Sequence, residues 1–241
     1  MFLDCQNILG ESPIYHSFQN SFFWIDILDN KFYQFDDKIK CFNLDFSPCC
    51  IQQENQNLLM CSETEIGVFD LRINKFQSFL KMDFPPNIRF NDGRKDNNGI
   101  FHIGTMDKNE KEFIGKIYKL ENQCLSIIQE NIGISNGIAF DKYNNFYFAD
   151  SLKKTIYKSD KIIKVYESES PDGAIFDKNN RYLSCLWGGS RIDIFKNDIY
   201  QESIPLPVSH PTCCAEFEDK LFITSSSLLN KESGRPILFS R

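Results

Sequence analysis

Short runs of hydrophobic residues alternate with turn-forming polar residues along most of the chain. After Asn136 there are four such runs, at 137–141, 146–150, 155–159 and 162–167. The separators DKYNN, SLKK and SDK have turn chemistry and leave no room for a helix, so the pattern predicts four antiparallel strands. No segment has a helical stripe longer than two turns.

The same four-strand unit recurs along the chain. The next segment repeats it with runs near 173–177, 181–187, 191–196 and 198–203, and its DKNN corresponds to DKYNN. Further copies begin near residues 11, 47, 91 and 211. The third hydrophobic run of each unit has a similar sequence: KFYQFD, IGVFD, KIYKLE, TIYKSD, RIDIFK and PILFSR. The chain therefore contains six units of roughly 40 residues.

Four antiparallel strands in a unit of this length are typical of a β-propeller blade. We therefore predict an all-β, six-bladed β-propeller with four antiparallel strands per blade, forming a single domain over residues 1–241. The last unit has only three strands before Arg241. We expect residues 2–8 (FLDCQNI) to supply its fourth, so that the N-terminal strand closes the ring in the last blade.

Composition and charge exclude some functions. The net charge of −6 and the lack of any cluster of five Lys or Arg argue against a nucleic-acid partner. The N-terminus lacks the basic region of a secretory signal, and no apolar run approaches a membrane span. We therefore expect a cytoplasmic protein with no membrane partner. The nine cysteines show no C-x-x-C spacing and are predicted to be reduced, mostly buried thiols.

The stretch ISNGIAFDKYNNFYFADS contains two turn signals, although one hairpin needs only one. We assign the hairpin to 141–145 and place Asn136-Gly137, like Asp172-Gly173, just before a first strand. In a propeller the first strand of each blade lies nearest the axis, so the residues that start these strands converge at one mouth of the channel. Those positions are Glu11, Cys49 or a neighbour, Asn91, Asn136, Asp172 and Thr212.

Four of these six positions carry a carboxylate or a carboxamide. Two carboxylates and two amide oxygens form a hard-oxygen site that suits one divalent metal ion, namely Ca²⁺, Mg²⁺, Mn²⁺ or Zn²⁺. Without a cation, Glu11 and Asp172 would repel each other. The alternative is that N-D-G, S-N-G and P-D-G are ordinary turns that enter strands. Their recurrence in one repeat frame favours the metal site.

Several motifs carry a resemblance to a known family. They are LGESP (9–13), RFNDGRKDNNGIFHIGTM (89–106), ISNGIAFD with YFADS (134–151), PDGAIFD with LWGGSRI (171–192), and LPVSHPTCCAEF with LFITSS (206–226). Because these motifs occur in this order and at consistent spacing, the sequence resembles the SMP-30/gluconolactonase/regucalcin family over nearly its whole length. The resemblance implies a six-bladed propeller that hydrolyses sugar lactones with one divalent metal ion.

The resemblance also implies roles for single residues. It identifies Glu11, Asn136 and Asp172 as metal ligands, and Arg89 and Asn91 as substrate-binding residues. The cation would polarise the lactone carbonyl, and Asp172 would take a proton from the attacking water, unless a metal-bound hydroxide is the nucleophile. We expect a small-molecule sugar lactone, a pentono- or hexonolactone, as substrate, and a monomer or weak dimer.

Two other functions remain open. The chain could be a non-catalytic calcium-binding or interaction propeller, although its intact R-F-N-D motif argues against this, or a hydrolase of another ester class. Asp150 is a candidate buttress at a strand end, and Trp187 and His210 are candidate walls of the site. Some members of the family have an acidic substrate contact after G-T-M, and residues 107–110 offer no clear counterpart.

Overall fold

The computed structural model describes residues 1–240, which fall into two compact units. Unit 1 contains residues 1–83 together with the segment that starts at Thr212, and unit 2 contains residues 84–211. All regular elements of the described residues are β-strands, arranged in six antiparallel sheets, so the predicted six-bladed, all-β class is confirmed. The prediction of one domain stays a prediction, and Arg241, its last residue, lies outside the described residues.

We number the sheets as blades 1 to 6 in chain order. Blade 1 consists of β1 (Gly10–His16), β2 (Ser21–Asp26), β3 (Lys31–Phe35) and β4 (Ile39–Asn43). Blade 2 consists of β5 (Pro48–Glu54), β6 (Asn57–Ser62), β7 (Glu65–Asp70) and β8 (Lys75–Lys81). Blade 3 consists of β9 (Ile88–Lys95), β10 (Phe101–Asp107), β11 (Gly115–Glu121) and β12 (Cys124–Ile132).

The remaining blades follow the same plan. Blade 4 consists of β13 (Ser135–Phe140), β14 (Phe146–Asp150), β15 (Thr155–Lys158) and β16 (Lys161–Val165). Blade 5 consists of β17 (Ser170–Phe176), β18 (Tyr182–Trp187), β19 (Arg191–Lys196) and β20 (Ile199–Pro205). Blade 6 consists of β21 (Pro211–Phe217), β22 (Lys220–Ser225) and β23 (Ile237–Ser240). Within each sheet, the strands are neighbours in sequence order.

The N-terminal segment completes blade 6 within unit 1. Phe2 forms an antiparallel bridge with Ile237, and the Leu3 amide donates to the Pro236 carbonyl at 2.9 Å. The predicted pairing of the N-terminus with the last blade is therefore confirmed. It is less regular than expected: the Asn7 amide also donates to the Gly234 carbonyl at 2.9 Å, but the segment forms isolated bridges where we predicted a full strand.

The hairpin assignment is confirmed, and one boundary prediction is wrong. The Asn144 amide donates to the Asp141 carbonyl at 2.8 Å, and Asn144 has a φ of 65°, so residues 141–145 make the turn. Asn136 and Asp172, in contrast, do not precede the first strands of their blades. They lie inside β13 and β17, because both strands begin earlier than the sequence pattern indicates.

Aromatic side chains fill the space between neighbouring sheets within each unit. In unit 1 the ring centroid of Trp24 lies 5.0 Å from that of Phe222 in blade 6, and in unit 2 the centroid of Tyr147 lies 4.9 Å from that of Phe176 in blade 5. Six of the nine cysteines are buried, in agreement with their predicted packing role. Within residues 1–240, no helix is long and apolar enough to cross a membrane.

Candidate active site

The first strands of five blades share an irregularity at the predicted site position. In each, the pairing with the second strand shifts register, as at a β-bulge. The shifts lie between Glu11 and Ile14, Pro48 and Cys50, Phe90 and Gly93, Asn136 and Ala139, and Pro171 and Ala174. A bulge turns a side chain out of the regular alternation of a strand and often lies next to a functional site. Glu11, Asn91, Asn136 and Asp172 therefore each lie at such an irregularity within a strand.

The backbone after Asn136 requires a glycine. Gly137 has a φ of 57°, and a Cβ atom there would lie 2.7 Å from Tyr182 Oη and 3.0 Å from the Asp172 carbonyl oxygen. The Tyr182 hydroxyl also donates to the Gly137 carbonyl at 2.8 Å. The Asn136-Gly137 segment therefore lies directly against the backbone of Asp172, which brings two predicted site residues together.

A series of four hydrogen bonds crosses the first strands of unit 2. Arg89 Nη1 donates to Asn91 Oδ1 at 2.8 Å, and Asn91 Nδ2 donates to Asn136 Oδ1 at 2.8 Å. Asn136 Nδ2 then donates to Ser151 Oγ at 2.9 Å, and Ser151 Oγ donates to the Pro171 carbonyl at 2.6 Å. We call this series the Arg89–Pro171 chain. It joins blades 3, 4 and 5.

The two ends of the Arg89–Pro171 chain fix its direction. A guanidinium can only donate hydrogen bonds and a backbone carbonyl can only accept them. Each amide between them therefore has its oxygen on the Arg89 side and its nitrogen on the Pro171 side. The orientation of an Asn side chain is normally an assignment from its surroundings, and here the surroundings allow only one.

The residues of unit 2 offer a divalent cation suitable donors. Asn136 and Asp172 are 8% and 6% exposed, and both provide oxygen, the donor that Ca²⁺, Mg²⁺ and Mn²⁺ prefer. An amide oxygen has two lone pairs, and that of Asn136 uses one of them for Asn91. Within residues 1–240, no three His, Cys, Asp or Glu side chains form a metal cluster. The predicted ligand set has only two such residues.

Glu11 lies in the other unit. It is on β1, at the strand position that corresponds to Asn136 on β13, and its Oε2 accepts a hydrogen bond from the Ser12 amide at 2.9 Å. Ser12, like Gly137, has a positive φ, here 48°. The two strands thus follow the same local path, while the contribution of Glu11 to a metal site stays a prediction.

Comparison with known proteins identifies the family. The family model described as "SMP-30/Gluconolactonase/LRE-like region" matches residues 9–227. The chain belongs to the SMP-30/gluconolactonase/LRE-like family. It is 25% identical to regucalcin of Danio rerio, over 92% of this chain and 84% of that protein. It is 23% identical to the 6-deoxy-6-sulfogluconolactonase of Pseudomonas putida, over 91% of this chain and 84% of that protein.

A solved structure shows the same fold. The calcium-binding protein regucalcin from Agrobacterium tumefaciens matches with a TM-score of 0.88, over 98% of this chain and 90% of that chain. The two sequences are 20% identical, so this likeness concerns the fold.

A second layer of polar contacts lies beside the Arg89–Pro171 chain, and the sequence did not reveal it. Asp92 Oδ2 accepts a hydrogen bond from the Ile138 amide at 2.9 Å, and Arg94 Nη2 donates to the Ala174 carbonyl at 3.1 Å. Burial raises the pKa of the Asp92 carboxyl above its usual value, although the Arg94 charge opposes this. These contacts tie β9 to β13 and β17.

The acidic residues at the ends of second strands serve the backbone. Asp150 is fully buried, and its carboxylate accepts hydrogen bonds from the amides of Gly133 and Ile134 at 3.0 and 3.2 Å. Asp107, the first acidic residue after G-T-M, likewise accepts from the Lys111 amide at 3.1 Å. Its carboxylate therefore holds a loop, which leaves the family's acidic substrate contact without a counterpart at this residue.

Trp187 and His210 form a pair in unit 2. Their ring centroids are 4.7 Å apart, and Trp187 pairs with Ser170, two residues before Asp172. Burial lowers the pKa of the His210 imidazole below its usual value. A role of this pair as a wall of the family's site stays a prediction.

Ser151 is the site residue that the sequence reasoning missed. The motif YFADS drew attention to Asp150, whereas the hydroxyl that joins the Arg89–Pro171 chain belongs to the next residue. The strand register contains a signal that could have found it. Asp150 pairs with Ser135, so the residue after Asp150 lies at the end of β14 that is beside Asn136.

Proposed function

We propose that this protein hydrolyses sugar lactones to the corresponding aldonic acids, with one divalent metal ion as cofactor. The observation that carries the proposal is the Arg89–Pro171 chain, in which the proposed donors for a sugar and a proposed oxygen ligand for a cation share one hydrogen-bonded network. Membership of the family supports it, as does the name of the Pseudomonas putida relative, a sulfogluconolactonase. The protein would then be a carboxylic ester hydrolase.

The residues fit the cofactor by their chemistry. Asn136 and Asp172 would hold the cation together with Glu11, which the family resemblance adds to the set. When bound, the cation polarises the lactone carbonyl and stabilises the negative charge that develops on its oxygen. Regucalcin from Agrobacterium tumefaciens is named a calcium-binding protein, so Ca²⁺ is the first ion to test.

The protein's own residues would bind and orient the lactone. The Arg89 guanidinium can donate a fork of hydrogen bonds to the hydroxyl or ring oxygens of a sugar lactone. Asn91 can donate and accept, but one of its lone pairs is engaged by Arg89, which holds its amide in a single orientation. A pentono- or hexonolactone presents a row of hydroxyls that suits this donor set.

Asp172 is the proposed general base. Its carboxylate would take a proton from water while the water oxygen bonds to the carbonyl carbon. The bond from that carbon to the ring oxygen then breaks, the ring oxygen takes the proton from Asp172 to become a hydroxyl, and the new carboxylic acid loses the second proton of the water to solvent. The products are a carboxylate and a free hydroxyl on one open chain, so the reaction releases acid.

Acid release from a panel of aldonolactones tests this function. We expect turnover that is lost after treatment with a chelator, that returns with Ca²⁺ or Mn²⁺, and that falls at least about 1,000-fold in Asp172→Ala. An aryl ester in the same panel distinguishes a lactonase from a hydrolase of another ester class. Full activity in the metal-free protein or in Asp172→Ala would contradict the proposal.

A non-catalytic calcium-binding protein is the second candidate, because several of the similar proteins carry the name regucalcin. It predicts that Ca²⁺ raises the melting temperature while no lactone is turned over. The lactone panel and a melting curve with and without Ca²⁺ therefore separate the two candidates in one set of samples.

A further inference from the structure

Ser151 has a defined place between the two proposed metal ligands of unit 2. Ser151 is only 8% exposed. Its Oγ lies 2.9 Å from Asn136 Nδ2 and 2.6 Å from the Pro171 carbonyl oxygen. A hydroxyl has one proton to donate. Because the Pro171 carbonyl can only accept, that proton goes to Pro171, and the oxygen is left to accept from Asn136.

This bond selects one orientation of the Asn136 amide. The two ends of an amide are nearly equal in size, so packing alone does not distinguish them. Ser151 can accept only from the nitrogen end, and Asn91 donates to the oxygen end from the other side. With the amide reversed, nitrogen would face the Asn91 donor and would have no lone pair to offer a cation.

We propose that Ser151 is a positioning residue that turns the oxygen of Asn136 toward the proposed cation. Its second bond reaches the carbonyl of Pro171, the residue before Asp172, so one hydroxyl ties the segments of two proposed ligands together. The inference rests on the proposed function. Partners that orient metal ligands in this way typically change metal affinity by about 10- to 100-fold when they are removed.

Isothermal titration calorimetry of the whole protein with Ca²⁺, in the absence of any lactone, tests the inference. We expect Ser151→Ala to weaken Ca²⁺ binding by about 10-fold or more. Ser151→Thr keeps the hydroxyl and should restore the affinity to within about threefold of wild type, a change of about 0.7 kcal/mol or less. Melting curves recorded in chelator check that each variant is folded.

Ser184→Ala is the matched control. Ser184 is a fully buried serine on β18 of the same unit, and its Oγ has no hydrogen-bond partner among residues 1–240. Its removal deletes the same oxygen from a comparable environment without breaking a hydrogen bond. We expect Ca²⁺ affinity to be unchanged in this variant.

The possible results separate this inference from the function on which it rests. Wild-type affinity in Ser151→Ala, or equal weakening in Ser151→Ala and Ser184→Ala, would overturn the positioning role while Ca²⁺ binding by the wild type still supports the proposed function. A wild-type protein that binds neither Ca²⁺ nor Mn²⁺ would overturn the metal dependence, and the inference with it.

Discussion

The two units connect their first strands with different side chains. In unit 1, single hydroxyls make the connections: Ser12 Oγ accepts from the Ile51 amide at 2.9 Å, and Thr212 Oγ1 donates to the Gly10 carbonyl at 2.5 Å. In unit 2, a guanidinium, two amides and the Ser151 hydroxyl extend one directed series of hydrogen bonds over three blades. The strands have the same local geometry, with the register shift at the same place.

The position of a residue within the blade and the chemistry of its side chain therefore vary independently in this protein. The repeated blade provides an irregular strand position in both units, and the residue type decides what that position does. In unit 1 two first strands carry the adjacent buried pairs Cys49-Cys50 and Cys213-Cys214, which pack as small apolar groups. In unit 2 the corresponding positions are polar, so the proposed binding chemistry is concentrated there, and Glu11 is the acidic exception of unit 1.

Among the variants that compare the two units, Asn91→Ala should have the largest effect on function. It removes one acceptor of Arg89 and a donor to Asn136, so both the proposed substrate donor and the proposed metal ligand lose an orienting contact. We expect kcat/KM for lactone hydrolysis to fall about 100-fold, equivalent to about 2.7 kcal/mol of transition-state stabilisation. Steady-state kinetics on the best lactone of the panel measures this.

Cys49→Ala is the counterpart in unit 1. It shortens a buried side chain on a first strand at a comparable position, and it removes a small thiol where Asn91→Ala removes a carboxamide. We expect kcat/KM to stay within about twofold of wild type, with a small loss of melting temperature. If Cys49→Ala impaired hydrolysis as much as Asn91→Ala, the chemistry would not be concentrated in unit 2.

Gly137→Ala tests whether the bulge that contains Gly137 in unit 2 tolerates a side chain, as the bulge that contains Ser12 in unit 1 does. Ser12 in unit 1 shows that a side chain is tolerated at a positive φ there, whereas a Cβ atom on Gly137 would meet Tyr182 Oη and the Asp172 carbonyl. We expect the free energy of unfolding to fall by roughly 2 kcal/mol, measured by urea denaturation. Gly99→Ala is the control, since Gly99 has a φ of 81° with no atom close to its Cβ position. An equal loss in both would mean that the close approach at Gly137 costs nothing.

Much of the fold followed from the sequence because strand repeats and turn residues are local signals. The β14 and β19 boundaries and the 141–145 hairpin were predicted as they occur, since Asp, Asn and Gly make turns through their own backbone chemistry. The start of β17 was not, because Ser170 and Pro171 join the strand through a register shift that leaves no regular alternation to detect.

The site was predicted in part for a related reason. Arg89, Asn91 and Asn136 were identified from motifs and do contact one another in series. Ser151 was missed because serine is common at strand ends, and its role depends on a carbonyl 20 residues further along the chain. Contacts of this kind are set by how neighbouring blades pack, which a single sequence does not encode locally.

Thr212→Val in unit 1 should have a smaller effect on stability than Gly137→Ala, and it tests the other half of the comparison. Valine keeps the branched shape of the fully buried threonine and removes its hydroxyl, so the Gly10 carbonyl and Thr224 Oγ1 lose a partner. We expect the free energy of unfolding to fall by about 1 kcal/mol, because a buried acceptor is left unpaired.

For Thr212→Val, the loss of kcat/KM, expressed as a free energy, should be smaller than the loss of the free energy of unfolding. Asn91→Ala should show the opposite order. Urea denaturation gives the free energy of unfolding and steady-state lactone kinetics give kcat/KM, both measured on the same preparations. Hydroxyl connections in unit 1 join strands, whereas the amide connections of unit 2 also orient proposed ligands. A loss of kcat/KM in Thr212→Val as large as that in Asn91→Ala would show that the bond to Gly10, the neighbour of Glu11, orients the site as well.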